Sequence, residues 1–180
     1  RNAELAVINR IQEGMAAELN FQAIIDLVGD ALRDVLKSGD LGIDWYDSEA
    51  NLIHTLYAVE HGIRLPVEEP RTPMAEGPGM QMLRERRPVI CNSAAEIRAA
   101  GFHVSPGTDG GTKSLMVVPI LGGDRFLGDV MVDNYEREHA FGESDVRLLS
   151  TVAASMGVAL ENARLFDETQ RLFKESEQRA

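Results

Sequence analysis

The chain has 180 residues, of which 44% are hydrophobic and 26% charged, so it has enough apolar sequence for one globular domain with a buried core. Its formal net charge of -11 disfavours nucleic acid and anionic membrane surfaces as partners, because both attract clustered lysine and arginine. No apolar run approaches the roughly 20 residues that span a bilayer, so we expect no membrane contact within this fragment.

Two helical patterns cover residues 4–37. The first has one apolar stripe, made of Leu5, Ile8, Ile11 or Gln12, Met15 and Leu19. Asn20 is a suitable N-cap for the second helix, whose apolar face contains Ile24, Ile25, Val28, Leu32, Val35 and Leu36. The apolar period then changes after a Ser-Gly-Asp turn, which predicts the start of a sheet.

A hairpin and a long connection follow. Residues 41–46 and 51–59 are predicted strands on either side of a polar turn, and residues 62–78 contain four prolines and favour neither helix nor central strand. A loop of that length is more often functional than accidental. Beyond it we predict a short helix over 79–86, a strand over 88–91, a helical segment over 94–100 and a loop over 105–111.

The next hairpin is the most informative part of the chain. Residues 114–121 predict a buried strand, and residues 126–133 predict its return strand after a glycine turn. With a period of two, one face of the return strand carries Phe126, Gly128, Val130 and Val132, and the other carries Leu127, Asp129, Met131 and Asp133. We expect the first face to pack on helices and the second to face a more polar region.

The last predicted helix starts at Glu143 or Ser144 and continues to the chain end, which is about 55 Å at about 1.5 Å per residue. Spacings of four and three give a heptad pattern over Val152, Met156, Ala159, Ala163, Phe166, Gln170, Phe173 and Glu177. Residues 146–163 are expected to pack on the sheet. Because the helix is longer than the domain, we predict that it meets a second copy of itself beside the N-terminal helix. The predicted dimer-helix residues are Met156, Ala159, Ala163, Phe166, Gln170 and Phe173.

Five short motifs in order give the chain a family resemblance: Glu76-Gly-Pro-Gly79, Arg87-Pro-Val-Ile-Cys-Asn92, Ser114-Leu-Met-Val-Val-Pro-Ile120, Phe126-Leu-Gly128 with Val132-Asp-Asn134, and Phe141-Gly-Glu-Ser-Asp145. Together they resemble a GAF domain, a sensing and dimerising module of signalling proteins. The resemblance implies an α+β fold with a six-stranded antiparallel sheet, the N- and C-terminal helices on one face, and loops and short helices roofing a pocket on the other.

The same resemblance divides the chain and suggests a role. Residues 1–20 would be a linker or dimerisation helix, 21–165 the GAF domain, and 166–180 a signalling-helix extension. We expect a cytoplasmic regulatory sensor that binds an unidentified small ligand and relays a signal in a homodimer. Its output domain, such as a histidine kinase or nucleotide cyclase, would lie in the same longer protein, since the chain begins at Arg1 with charged helical sequence at both ends. The alternative is a ligand-free dimerisation and relay spacer.

Known ligands of the family fit this sequence poorly, and the cofactor stays open. The cyclic-nucleotide pattern needs Asn-Lys and Phe followed by Asp-Glu, whereas here Tyr135 follows Asn134 and Val146 follows Asp145. Bilin attachment and sulfoxide reduction both need cysteine chemistry, but Cys91 is the single cysteine and lies on a predicted strand. It also cannot form an internal disulfide, which favours the cytoplasm. We therefore predict no enzymatic activity for this domain.

The candidate ligand-binding residues are Asp44, Trp45, His54, Cys91, His103, Met116, Asp129 and Met131. In the family arrangement the strands that carry Asp44 and Asp129 are neighbours, so their two carboxylates call for a cationic ligand, a proton or an arginine partner; Arg64 and Arg125 are the candidates for that partner. No pair of the four histidines has the spacing of a metal site, so we predict none, although a haem could use one of them as an axial ligand.

Overall fold

The structure is a computed structural model that describes residues 2–37, 40–73, 77–102 and 111–179. These residues form five helices and six strands: α1 (Asn2–Ala16), α2 (Phe21–Leu36), β1 (Asp40–Asp47), β2 (Leu52–Glu60), β3 (Ile63–Arg64), α3 (Pro78–Glu85), β4 (Val89–Cys91), α4 (Ala94–Ala99), β5 (Ser114–Gly122), β6 (Arg125–Asn134) and α5 (Glu143–Arg179). None of the helices in this described part combines the length and the hydropathy that a membrane span requires.

The strands form one sheet in the order β3-β2-β1-β6-β5-β4, and every neighbouring pair is antiparallel. The α+β fold predicted from the sequence is confirmed. The two-residue strand β3 was not predicted, because it lies inside the proline-rich connection and is too short to give a period of its own. It pairs with the end of β2 and forms the edge of the sheet.

Capping and burial explain why α2 forms where it does. The Asn20 side chain accepts a hydrogen bond of 2.9 Å from the Ala23 backbone N–H, which satisfies one of the free donors at the helix start. Three apolar residues on one side of the helix, Ile25, Val28 and Leu32, are fully buried. The helix ends at Lys37, which adopts the left-handed conformation.

The sheet has two faces of different chemistry. On the helix face, Leu41 and Ile43 of β1 lie opposite Val132 and Val130 of β6 and pack in one core with α1, α2 and α5. The opposite side, which we call the loop face, carries Asp40, Gly42 and Asp44 of β1 and Asp129, Met131 and Asp133 of β6. The alternation predicted for β6 is therefore correct from Asp129 to Asp133.

At the start of β6 the predicted alternation is wrong. Leu127 is buried in the helix-face core, and Phe126 packs with apolar residues of the loop face. The β5–β6 register shifts between Ile120 and Leu121, which reverses the facing of the residues beyond the shift. A β-bulge of this kind has no signature in the apolar period of the strand.

Helix α5 comes very close to β5 at Gly157. A Cβ atom built on Gly157 would lie 2.1 Å from the backbone oxygen of Leu121, a distance that atoms in folded proteins do not reach. Leu149, Val152 and Met156 of α5 are buried in the same interface. Glycine is thus required here for the helix to lie flat on the sheet.

Substituting Gly157→Ala should destabilise the domain by about 2 kcal/mol or more, since overpacking costs more than the roughly 1 kcal/mol that alanine gains over glycine within a helix. The measurement is urea unfolding followed by circular dichroism. Gly142→Ala is the matched control, because its new Cβ would meet Asp145 Oδ2 at 3.9 Å, an ordinary contact. Equal stability of the two variants would contradict the close helix–sheet approach.

Candidate ligand-binding face of the sheet

The loop face brings four carboxylates together in two facing pairs. Asp44 lies directly opposite Asp129, and Asp40 directly opposite Asp133, across the β1–β6 pairing. Gly42 and Met131 lie opposite each other between the two pairs. Like charges facing each other across a sheet are destabilising, so this arrangement has to be stabilised by protons, cations or hydrogen bonds.

Arg71 and Thr55 hold Asp44. The Thr55 hydroxyl donates to Asp44 Oδ1 at 2.7 Å, and Arg71 Nη2 lies 3.3 Å from Asp44 Oδ2. Arg71 Nη1 also donates to Thr55 Oγ1 at 2.7 Å. The backbone of Arg71 is fixed by two hydrogen bonds with Ile53, of 2.7 and 3.0 Å, so the proline-rich connection is tied to the edge of β2 at this residue.

Asp129 is not held in this way. Its Oδ1 atom is buried and has no hydrogen-bond partner among the described residues. On its other side the strand neighbour is Pro119 of β5, which has no N–H to donate. Burial first, and then the charge of Asp44 and a hydrogen bond to it, raise the pKa of Asp129 well above its usual range, while the more distant Arg71 lowers it. Asp129 is therefore protonated at pH values at which an ordinary aspartate is ionised.

The second pair has similar chemistry. Burial, followed by the charges of Asp40 and Glu60, raises the pKa of Asp133 to about 7. The pKa of Asp40 is also raised, mainly by burial, although backbone N–H groups of His61 and Gly62 oppose this. In each pair, the protonation of one buried carboxyl therefore changes the charge of the loop face.

The other half of the loop face is apolar. Met82 of α3 and Ile97 of α4 pack with Cys91, Leu115 and Val117, and Met131 contacts this second core. Cys91 is only 3% exposed. Burial, with a smaller effect of the Glu96 charge, raises the pKa of its thiol, which makes it a poor nucleophile.

The predicted site residues divide between the two faces. Asp44, Asp129, Met131 and Cys91 share the loop face. Trp45, His54 and Met116 do not: Trp45 meets Phe21 of α2 edge-on with ring centroids 4.8 Å apart, His54 is its strand neighbour, and Met116 is buried in the helix-face core. Strand alternation places these three away from the acidic pairs, which corrects their assignment. His103 lies outside the described residues.

Sequence reasoning missed Arg71 and chose the wrong arginines. Arg64 pairs with Asp26 at 2.9 Å and lies over the Tyr57 ring at 3.9 Å, and Arg125 is at the exposed start of β6. The signal for Arg71 was its place between Pro70 and Pro73, where an extended segment can run along a sheet edge. Nothing in the sequence gives the register of that segment against β2.

Metal binding has no support on this face. Among the described ranges, no group of three or more histidine, cysteine, aspartate or glutamate side chains could hold a metal ion. The aromatic pair Tyr46 and Phe126, with ring centroids 6.0 Å apart, lies instead on the same face as Asp44. Carboxylates and aromatic rings are therefore neighbours on the loop face.

The terminal helices also differ from the prediction. Met156 and Ala163 fill the core of their own chain, so they are not available to a partner. Ala159 is half-buried, and Phe166, Gln170 and Phe173 are exposed. Exposed apolar residues recur every seven residues at Val158, Leu165 and Leu172. Each lies one position before a predicted dimer residue, Ala159, Phe166 or Phe173.

With this geometry described, comparison with known proteins identifies the family. The family model of the GAF domain matches residues 18–161, which is most of the chain. The chain therefore belongs to the GAF-domain family, as its motifs indicated.

Solved structures share this fold at low sequence identity. The GAF domain from an Acinetobacter phosphoenolpyruvate-protein phosphotransferase has a TM-score of 0.73 and 16% identity, covering 93% of this chain and 99% of that one. A free methionine-R-sulfoxide reductase from Neisseria meningitidis, solved with its substrate, has a TM-score of 0.71 and 20% identity, covering 90% of each chain. A phycoerythrobilin-bound GAF domain from a cyanobacterial phytochrome has a TM-score of 0.70 and 16% identity, covering 91% of this chain and 97% of that one. These likenesses show the fold.

The raised pKa of Asp133 predicts a pH-dependent stability. The native state keeps its proton up to about pH 7, while the unfolded chain releases it near 3.8, so this contribution to native stability is lost as the pH rises between those values. Asp133→Asn stays neutral throughout. Relative to wild type, the variant should gain about 2 kcal/mol in free energy of unfolding between about pH 5 and about pH 8.

Urea unfolding at the two pH values measures this difference. Asp124→Asn is the control, because Asp124 is exposed in the β5–β6 turn. A pH-independent difference between Asp133→Asn and wild type would contradict the buried acid pair.

Proposed function

We propose that this chain is a regulatory sensor domain: a small molecule binds non-covalently on the loop face, and the terminal helices relay its presence to an output domain in a homodimer. The observation that carries the proposal is the buried carboxyl of Asp129, which has an oxygen without a partner among the described residues and faces a second carboxylate. A buried polar atom in that condition costs about 1–3 kcal/mol, which a ligand could recover. Membership of the GAF family supports the sensor role.

The C-terminal half of α5 supports the homodimer. From Leu165 to Arg179 every residue is exposed, so this segment makes no core with its own domain. A helix of about 15 residues is marginal in water unless it packs against something. Its apolar positions, Leu165, Leu172 and their neighbours Phe166 and Phe173, lie on one side at heptad spacing, which suits a second copy of the same helix.

A groove between α1 and α5 extends this surface. It encloses about 360 Å³ and is lined mainly by apolar atoms, with Met15 of α1 and Leu19 of the α1–α2 connection on one wall and Val158 and Ala159 of α5 on the other. Because Val158 belongs to the same seven-residue series as Leu165 and Leu172, the groove continues the tail surface towards the domain. A partner's α1 and α5 would complete a four-helix bundle there.

We further propose a regulatory role without catalysis. The buried Cys91 thiol does not suit covalent bilin attachment or attack on a sulfoxide, even though structural neighbours include a bilin-bound domain and a sulfoxide reductase. The output domain would lie elsewhere in the same protein, and the single cysteine and acidic composition favour the cytoplasm.

A second candidate is a ligand-free dimerisation spacer. The apolar packing of Met82, Cys91, Ile97 and Met131 on the loop face favours it, because side chains that fill this space leave less room for a ligand. In that case Thr55 and Arg71 would stabilise Asp44, and protonation would stabilise Asp129.

Native mass spectrometry of the purified protein separates the two candidates. The sensor predicts a bound mass or, in a thermal-shift screen of small molecules, a saturable rise in melting temperature that is lost in Asp129→Asn. The spacer predicts an empty dimer whose melting temperature responds to no compound.

The proposed dimer is tested by Leu172→Glu, which puts a charge into the helix seam and should weaken dimerisation at least about tenfold. Gln178→Glu is the matched control: it adds the same charge on the opposite side of the helix, where both positions are exposed. Sedimentation velocity of the two variants at several concentrations measures the change. Equal dimer affinity of the two variants would show that the dimer interface does not include the α5 tail.

A further inference from the structure

The acid pair Asp44–Asp129 is asymmetric in a way that points to a particular kind of ligand. Thr55 and Arg71 donate to Asp44, so that carboxylate has both a hydroxyl and a cation beside it. Asp129 has neither, and its Oδ1 atom is buried without a partner among the described residues. One cation therefore lies beside two facing carboxyls, and it pairs only with Asp44. The carboxyl of Asp129 keeps a buried oxygen without a hydrogen-bond partner among the described residues.

Arg71 stands between this pair and solvent. Its side chain is 51% exposed, whereas that of Asp44 is 12% exposed. A half-exposed ion pair of this kind contributes only about 0–1 kcal/mol, because water competes for the guanidinium. A second cation that reached both carboxylates would make stronger, charge-assisted hydrogen bonds in a drier environment. Exchange of Arg71 for such a cation is therefore energetically accessible.

The surroundings favour an organic cation over a metal ion. No metal-binding group of side chains exists in the described part of the chain. Tyr46 follows Asp44 on the same face, and its ring lies 6.0 Å from that of Phe126. Aromatic faces attract ammonium and guanidinium groups through their quadrupole, which adds to the attraction of the carboxylates.

We propose that the Asp44–Asp129 pair binds the guanidinium or ammonium group of a small organic cation, and that Arg71 is the internal cation that this ligand replaces. The inference rests on the proposed sensor function and names the class of its ligand. A cation beside Asp129 favours its ionised form, so the Asp129 proton leaves to solvent when the cation enters.

The exchange also has a structural consequence. Arg71 is bound to Ile53 by two backbone hydrogen bonds, and its side chain adds contacts with Thr55 and Asp44 to that attachment. A ligand that takes the place of the guanidinium removes the side-chain part of the attachment. The segment between β3 and Pro73 then keeps only backbone attachments to β2, from Arg71 to Ile53 and from Leu65 to Ala58, which gives the loop two states that the ligand distinguishes.

Removing the internal cation tests the proposal directly. In the Arg71→Ala variant, methylguanidinium should bind up to about fivefold more tightly than in wild type, which is the affinity change that matches the loss of an ion pair worth about 1 kcal/mol, and it should raise the melting temperature saturably. N-methylurea, its neutral isostere, should have no effect. Adding Asp129→Asn to Arg71→Ala should abolish the response to methylguanidinium.

Arg64→Ala is the matched control, because Arg64 is another partly exposed arginine beside β2 but pairs with Asp26. It should behave like wild type, and circular dichroism verifies that every variant is folded. Equal responses to methylguanidinium and N-methylurea, or a response that survives Asp129→Asn, would overturn the proposal.

The outcome separates this inference from the sensor function itself. If methylguanidinium fails while native mass spectrometry of the wild-type protein reveals a neutral or anionic ligand, the cation proposal is wrong and the sensor stands. If methylguanidinium binds Arg71→Ala as expected, the ligand class is supported independently of how the signal is relayed. Isothermal titration in buffers of different ionisation enthalpy should also detect one proton released per cation bound.

Discussion

The pairing of β1 with β6 places chemically similar residues opposite each other on each face of the sheet. On the helix face Ile43 meets Val130, and their burial holds the helices in place; on the loop face Asp44 meets Asp129, and their charges oppose each other. A slip of one residue would exchange the two faces and bury the carboxylates among the helices. The favourable packing on one side therefore enforces the unfavourable pairing on the other.

This coupling explains how a stable domain can keep two facing carboxyls, one of which has a buried oxygen without a hydrogen-bond partner among the described residues. Fixing two facing carboxyls costs free energy, and the apolar core on the reverse of the same strands offsets that cost. The Arg71 guanidinium beside Asp44 and the raised pKa of Asp129 reduce the remaining repulsion without removing it. The geometry of the acid pair is therefore fixed by the sheet, which leaves these side chains little freedom to relax.

Much of this could be predicted from sequence. The period of β6 placed Asp129, Met131 and Asp133 on the polar side, and Asn20 marked the start of α2, because alternation and capping are local properties of the chain. Trp45 and His54 were assigned to the site from their chemistry, but strand alternation turns them towards α2. Leu127 was misplaced because a register shift depends on the neighbouring strand, and Arg71 was missed because the sequence of the proline-rich connection does not indicate its register against β2.

Helix α5 is one unbroken element, held by the sheet up to Ala163 and exposed beyond Leu165. Mechanically it is a lever whose longer arm is packed in the core and whose shorter arm is exposed. The exposed arm of about 15 residues is roughly 22 Å long, so a tilt of about 5° at the sheet moves its tip by about 2 Å. Displacements too small to disturb the packing of the core are thus enlarged at the end of the helix.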